Sequence, residues 1–131
     1  MNDRIVPPWD WLTIPAAHQR AFASADVWDE RTIADQAEAL ARTAPGFVAF
    51  VDGAARLTIA QAIADAEALS LSLHARGLRP GDVIAFQVPN WHEAGVINLA
   101  AAMSGLVVNP IVPIYRDHEV TQMLGDCRAR A

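Results

Sequence analysis

Apolar residues recur along this chain at two spacings, one typical of helices and one typical of buried strands. Over 32–44 they return every three or four positions, which predicts a helix. Residues 47–51 then form a short apolar run, and Asp52-Gly53 is a hairpin turn signal before a return strand at 56–58. The first part of the pattern therefore predicts a helix followed by a hairpin.

A second, longer helix is predicted from the residues at its two ends. Thr58 and Gln61 match a capping box, in which two side chains satisfy backbone N–H groups of the first turn. Apolar positions continue at helical spacing to about Arg76. Gly77 suits the left-handed residue that commonly follows a helix.

The remaining chain again alternates strand and helix. Residues 83–88 are almost continuously apolar, which is typical of a strand covered on both faces. Asn90, with Glu93 three positions later, predicts the N-cap of a helix that runs to about Ser104. This helix is apolar nearly all round, so we expect it to be buried on more than one side. A strand at 106–111 and a final helix complete the pattern.

Strands that alternate with helices at these lengths predict an α/β fold, with a mostly parallel sheet and flanking helices in βαβ order. A chain of 131 residues suits one domain or subdomain. Residues 1–27 contain several Trp and Pro residues and little periodicity, and we interpret them as an irregular N-terminal arm. Residues 28–131 are interpreted as a subdomain fragment, which we expect to end where its next strand would begin.

Composition narrows the classes of function. The formal net charge of −5, without a basic cluster, argues against a nucleic-acid partner. The sequence has no lysine, which excludes Schiff-base chemistry and a Walker-type phosphate loop, although a GC-rich genome that favours Arg explains the same bias. Cys127 is the only cysteine, so no internal disulfide forms. Because no signal peptide and no apolar run of roughly 18 residues is evident, we expect a cytoplasmic protein without a membrane span.

Four segments resemble the N-terminal region of the AMP-forming acyl-CoA synthetases, a family of adenylate-forming enzymes. They are the helix entry at 57–61, the Gly-x-x-Pro-Gly-Asp turn within 77–85, the Pro-Asn-x-x-Glu sequence within 88–93, and the strand with its proline-rich exit at 105–116. Each segment is common alone, but their joint order over 56–124 is specific.

The resemblance implies a two-step ligase reaction for the parent enzyme. A carboxylate attacks the α-phosphate of ATP to give an acyl-adenylate and pyrophosphate, and CoA then displaces AMP, with Mg²⁺ neutralising phosphate charge. The implied cofactors are ATP, Mg²⁺ and CoA, and the implied substrate is a small carboxylic acid. The variant at 113–116 resembles members that act on cyclic or aromatic carboxylates.

The catalytic parts of that family are missing from this sequence. The family's phosphate loop is rich in Ser, Thr and Gly and ends in Pro-Lys, whereas the glycines here are isolated and no lysine is present. We therefore assign no catalytic, cofactor-binding or metal-binding residue, and we expect the chain alone to be inactive and to bind none of the cofactors.

Two interpretations stay open. In the first, the chain is a structural portion of a ligase, and its partner is the remainder of that enzyme. In the second, it is a stand-alone α/β binding or oligomerisation module with no catalysis. Related enzymes that activate aryl or amino acids share this pattern, so the acceptor is either CoA or a carrier protein. A severed subdomain leaves apolar surface uncovered, which predicts a homo-oligomer.

Trp91 and His92 are the strongest candidates for a binding role. They follow the carboxyl end of a predicted strand, where α/β sheets bind ligands, and could form part of an acyl-pocket wall. Packing or surface exposure is the simpler interpretation of both residues.

Other reactive side chains carry weaker signals. His118 lies between Asp117 and Glu119, but it has no second His four positions on and no Cys pair, so we expect no metal site there. His18 and His74 are equally isolated. Cys127 has no evident base to activate it, and we interpret it as structural.

Overall fold

The computed structural model of the protein describes residues 15–24 and 31–131. Within these ranges the helices and strands follow in the order α1 (Ala16–Ser24), α2 (Ile33–Thr43), β1 (Val48–Asp52), β2 (Ala55–Thr58), α3 (Ile59–Ala75), β3 (Val83–Phe86), α4 (His92–Ser104), β4 (Val107–Pro110) and α5 (Asp117–Asp126), and they alternate from α3 onward. Among the described helices, none combines the length and the apolar composition needed to cross a membrane.

The first two strands form the predicted hairpin. β1 and β2 pair antiparallel, with Asp52 opposite Ala55 beside the turn, and the register shifts between Val48 and Phe50. Gly53 in the turn has φ +55°, a left-handed conformation that glycine adopts without steric cost. The hairpin lies in a sheet of its own.

β3, α4 and β4 form a βαβ unit with parallel strands, in register from Val83 opposite Val107 to Phe86 opposite Pro110. The last residues of the chain lie along the other edge of β3. The N–H of Arg130 donates to the Val83 carbonyl at 2.8 Å, and the N–H of Ala85 donates to the Ala131 carbonyl at 2.7 Å. β3 therefore has backbone partners on both sides. The α/β prediction is confirmed, and among the described residues the paired parallel strands are those of this unit.

The core lies on two sides of α4. Ala62 and Ala66 of α3 form one cluster with Leu99 and Ala100 of α4, and three of these four side chains are completely buried alanines. Small side chains let α3 and α4 approach closely. The packing between them is therefore sensitive to any increase in side-chain volume. The next residue of α4, Ala101, belongs to a second cluster, whose other members are Leu78, Ile84 and Leu106. The prediction that this helix is buried on more than one side is confirmed.

The prediction of an irregular arm over residues 1–27 is wrong for α1. Ala16–Ser24 is helical and rich in alanine, the residue with the highest helix propensity. Pro15 precedes the helix, and its carbonyl accepts the N–H of His18 at 2.9 Å. The described side chains of α1 are exposed, so local propensity rather than burial accounts for it. Residues 1–14 and 25–27 lie outside the described residues.

The helix starts agree with the sequence at α3 and differ at α4. At α3, the Gln61 N–H donates to the Thr58 hydroxyl at 3.3 Å and the Thr58 N–H donates to Gln61 Oε1 at 2.9 Å, which confirms the capping box. At α4 the N-cap is Trp91 and no side chain of the N-cap residue accepts a hydrogen bond, so the prediction of Asn90 as N-cap is wrong. The N–H of His92 points instead to Asp52 Oδ2 on the hairpin, at 3.4 Å.

Asp82 ties the turn before β3 to the end of the chain. Its carboxylate accepts the N–H of Arg79 at 2.7 Å and the guanidinium of Arg130 at 3.1 Å. The Arg79 N–H, followed by Arg130, lowers the pKa of Asp82 below its ordinary value. The charged form is therefore favoured in the folded protein.

Asp82→Asn is expected to lower the free energy of unfolding at pH 7, because an amide replaces the charged acceptor of these two donors. A carboxylate with a lowered folded-state pKa stabilises the fold above its unfolded pKa, near 3.8, and this effect disappears as the pH falls through the folded value. Urea unfolding at several pH values should show that the difference in unfolding free energy between wild type and Asp82→Asn shrinks below about pH 3.8. Asp65→Asn, at an exposed position of α3, is the control. A difference that does not change with pH contradicts the assignment.

Candidate functional site

A groove of about 690 Å³ lies at the carboxyl ends of β3 and β4. Ligands of open α/β sheets bind at this edge, because helix N-termini and loops converge there. Its walls come from the strand ends, the loops after them and the first half of α4, and they comprise Phe86, Val88, Pro89, Asn90, Ala94, Asn98, Pro110, Ile111, Val112 and Pro113. A smaller hollow of about 350 Å³ lies between α2 and α3, where Arg42 of its rim pairs with Glu38 at 3.9 Å.

Prolines line this groove at and just beyond the end of the strand ladder. Proline has no N–H to donate, so it commonly marks the end of a strand. The last backbone bond between the two strands joins the Ile111 N–H to the Phe86 carbonyl at 2.8 Å. Beyond it, Pro89 follows β3 and Pro113 follows β4, and both line the groove together with Ala94 and Asn98 of α4.

Gln87 holds the loop that follows β4. Its Nε2 donates to the carbonyls of Val112 at 3.1 Å and Tyr115 at 3.0 Å, which uses both amide hydrogens. Arg116 Nη1 donates to the Pro113 carbonyl at 2.8 Å from within the same loop. These bonds fix the proline-rich wall relative to the end of β3.

The groove carries no charged side chain. Its polar side chains are two carboxamides, and Asn98 already donates to the Ala94 carbonyl of its own helix at 2.7 Å. Such a surface suits an uncharged, largely apolar molecule. It does not suit a triphosphate, which proteins bind with cationic side chains or with a cradle of consecutive backbone N–H groups in a glycine-rich loop. The lining of this groove therefore does not fit ATP.

The two residues singled out as possible pocket walls lie elsewhere. Trp91 is 51% exposed, and neither Trp91 nor His92 lines the groove. Asn90, which sequence reasoning explained as a cap, does line it. The signal that could have found Asn90 is its place directly after Pro89, at the carboxyl end of the strand.

Two other candidates from the sequence, Glu119 and Cys127, make structural contacts. Glu119 accepts the Arg116 N–H at 3.1 Å, which makes it part of the capping of α5. Cys127 Sγ accepts from Asn109 Nδ2 at 3.2 Å and contacts the Leu124 carbonyl at 3.7 Å, and neither group is a base. These contacts support the structural interpretation of Cys127.

Sequence reasoning missed a cluster of three metal-ligating side chains. Asp52, His92 and Glu93 each offer one donor atom, and all three atoms lie within 4.8 Å of one another. His92 and Glu93 are neighbours in the first turn of α4, whereas Asp52 is 40 positions from His92 and reaches it from the hairpin. The tertiary fold alone brings the third group to the site.

Comparison with known proteins identifies the family. The sequence profile of the AMP-binding enzymes matches residues 37–131, which is more than half of the chain. The chain belongs to the AMP-binding enzyme family. The resemblance inferred from the four segments within 56–124 is therefore confirmed, and the family match extends it back through the β1–β2 hairpin to the second half of α2.

Curated members of the AMP-binding family are much longer than this chain. The medium-chain fatty-acid–CoA ligase of Escherichia coli is 33% identical over 120 residues, which cover 91% of this chain and 21% of that protein. The salicylyl-CoA synthase / salicylate adenylyltransferase of a Streptomyces species is 32% identical over 113 residues, which cover 86% and 20%. The chain thus spans about a fifth of the length of the relatives it matches.

A solved structure shows the same fold. The apo structure of Mycobacterium smegmatis MbtA superposes on the chain with a TM-score of 0.81 and 28% sequence identity, covering 90% of this chain and 22% of that one. The family and the fold therefore agree over almost the whole described chain.

Proposed function

We propose that this chain is the structural N-terminal portion of an ATP-dependent acyl-CoA ligase. The parent enzyme converts a carboxylate and ATP into an acyl-adenylate and pyrophosphate, and then transfers the acyl group to CoA. The observation that carries the proposal is the family match over residues 37–131 in a chain that spans only about a fifth of its relatives. Its partner is the remainder of that enzyme.

The chain's own contribution is to build one edge of the sheet and its groove, without catalysis. The uncharged groove lining and the lack of lysine support this division. Phosphoryl chemistry depends on positioned cations and backbone donors, and those belong to the segments that this chain lacks. ATP, Mg²⁺ and CoA are accordingly cofactors of the parent enzyme.

We propose a cyclic or aromatic carboxylate as the substrate. The apolar groove fits a flat hydrocarbon body, and the proline-rich loop that Gln87 holds forms one of its walls. A relative that is named for salicylate supports this class, while the relative named for medium-chain fatty acids makes an aliphatic acid the alternative. The names of both relatives support CoA as the acceptor, and a carrier protein is the alternative acceptor.

Self-association of the chain stays a prediction. Several large apolar side chains near the groove are exposed, among them Ile114 at 73% and Val112 at 55%. An uncovered apolar patch of this kind favours association. The same surface also supports the alternative function, a stand-alone binding or oligomerisation module.

The purified 131-residue chain is expected to show no acid-dependent exchange of pyrophosphate into ATP, because its sequence has no lysine and no Ser/Thr/Gly-rich phosphate loop. The assay should include aromatic, alicyclic and medium-chain acids, and a full-length AMP-binding ligase as the positive control. Exchange that depends on added acid would overturn the inactive assignment. Reading the gene beyond the codon for Ala131 separates the two functions: a continuing frame with a Ser/Thr/Gly-rich Pro-Lys loop supports the ligase, and a stop codon supports the module.

A further inference from the structure

The geometry points to a divalent transition-metal site formed by Asp52, His92 and Glu93, of the class that takes Zn²⁺. The donor atoms are Oδ2 of Asp52, Nδ1 of His92 and Oε2 of Glu93. They come from two parts of the fold, the β1–β2 hairpin and the first turn of α4, so a bound ion would join the hairpin to the helix.

The spacing of the donor atoms fits a metal ion better than an ion pair. His92 Nδ1 lies 3.3 Å from Asp52 Oδ2 and 3.4 Å from Glu93 Oε2. Charge-assisted N–H···O bonds are shorter, about 2.7–2.9 Å. Ligands of a tetrahedral Zn²⁺, with bonds of about 2.0–2.1 Å, are separated by about 3.3–3.4 Å. The distances from His92 Nδ1 to Asp52 Oδ2 and to Glu93 Oε2 therefore equal two edges of the ligand tetrahedron around a Zn²⁺ ion.

The number of acceptors around His92 supports the same conclusion. The carboxylates of Asp52 and Glu93 both approach His92 Nδ1. Because an imidazole nitrogen carries at most one hydrogen, it can donate a well-aligned hydrogen bond to only one of the two carboxylates. A cation with an open coordination shell satisfies both carboxylates and the ring nitrogen together. The start of α4 carries a partial positive charge of about +0.5, which repels a cation. The two negative charges of the Asp52 and Glu93 carboxylates outweigh this repulsion.

The chemistry of the donors selects the metal. An imidazole nitrogen with carboxylate oxygens suits Zn²⁺ and its transition-metal neighbours, whereas Mg²⁺ prefers six oxygen ligands in octahedral geometry. His92 is 30% exposed, Asp52 29% and Glu93 53%, so an ion can enter from solvent and water can complete the shell. Glu93, the most exposed ligand, closes the third edge by a rotation of its side chain.

The test is calorimetric titration of the metal-free chain with ZnCl₂, repeated with Asp52→Asn, His92→Gln and Glu93→Gln. Wild type is expected to bind one Zn²⁺ at this site and to melt at a higher temperature in its presence. Each variant should lose at least about tenfold in affinity, because even the loss of an outer-shell partner costs that much at a metal site. MgCl₂ at the same concentration should give neither effect.

His74→Gln on α3 is the matched control, since it removes an exposed histidine that lies outside the cluster. Its zinc affinity should equal that of wild type. Glu93→Gln keeps the test valid if substitutions at the more buried Asp52 or His92 impair folding, and circular dichroism checks each variant. Absence of zinc binding by wild type, unchanged affinity in Glu93→Gln, or an equal loss in His74→Gln overturns the proposal.

Discussion

Leu99→Ala is expected to lower the free energy of unfolding by about 2–5 kcal/mol, the range found when a buried leucine is truncated. Leu99 is 5% exposed and belongs to the cluster between α3 and α4. Its other buried members are alanines, whose short side chains cannot fill the space that the leucine leaves, while larger, partly buried side chains such as Met103 pack against the cluster. The extent to which these larger side chains relax into the cavity determines where in the range the loss falls.

Urea unfolding monitored by circular dichroism measures this loss. Leu71→Ala on α3 is the matched control, because it removes the same atoms from a side chain that is 72% exposed. The control should change stability by no more than about 0.5 kcal/mol. Since folded domains are stable by only about 5–15 kcal/mol, Leu99→Ala should be visibly less folded at moderate urea. Equal effects of the two substitutions would contradict the assignment of the core.

The helices and strands of residues 31–131 could be predicted because each carries a local signal. The capping box at Thr58 and the glycine turn at Gly53 lie within a few residues of the bonds they determine. α1 was missed because its described side chains are exposed, so no apolar stripe marks it and only its alanine content favours a helix. Asn90 was misassigned because the helix starts one residue later, where Trp91 is the N-cap.

The candidate site was only partly accessible from sequence. The carboxyl end of β3 could be located, since a buried parallel strand that stops at a proline marks this edge. The groove lining could not, because it depends on where Pro113 and the loop held by Gln87 come to lie. The contact between Asp52 and His92 could not be predicted either, because it joins residues 40 positions apart that only the tertiary fold brings together.

The sequence pattern of this chain identifies its family, whereas the side chains that line its groove determine what the groove can bind. The matched region consists of helices, strands and the turns between them, which explains why its sequence pattern identifies the fold, whereas the lining of its groove has no charged side chain. The same packing holds the groove walls in place through β3, α4 and the loop after β4. Substitutions of the buried residues between α3 and α4 therefore test whether this packing stabilises the fold.

Ala66→Leu is expected to destabilise the fold by about 1–3 kcal/mol or more, because it adds three carbon atoms to a side chain that is 0% exposed. Ala62 and Ala100 in the same cluster are also fully buried, so the added volume must push α3 away from α4. Thermal and urea unfolding would both report the loss.

Two comparisons make the result specific to volume. Ala68→Leu, at an exposed position of the same helix, should change stability by less than about 0.5 kcal/mol, since Leu and Ala have similar helix propensities. In the double variant Ala66→Leu with Leu99→Ala, the new leucine can occupy the volume that Leu99 vacates. Neighbouring substitutions of this kind couple, so its destabilisation should be smaller than the sum of the two single effects by at least about 0.5 kcal/mol. Simple additivity would show that the two side chains do not share one packed interface.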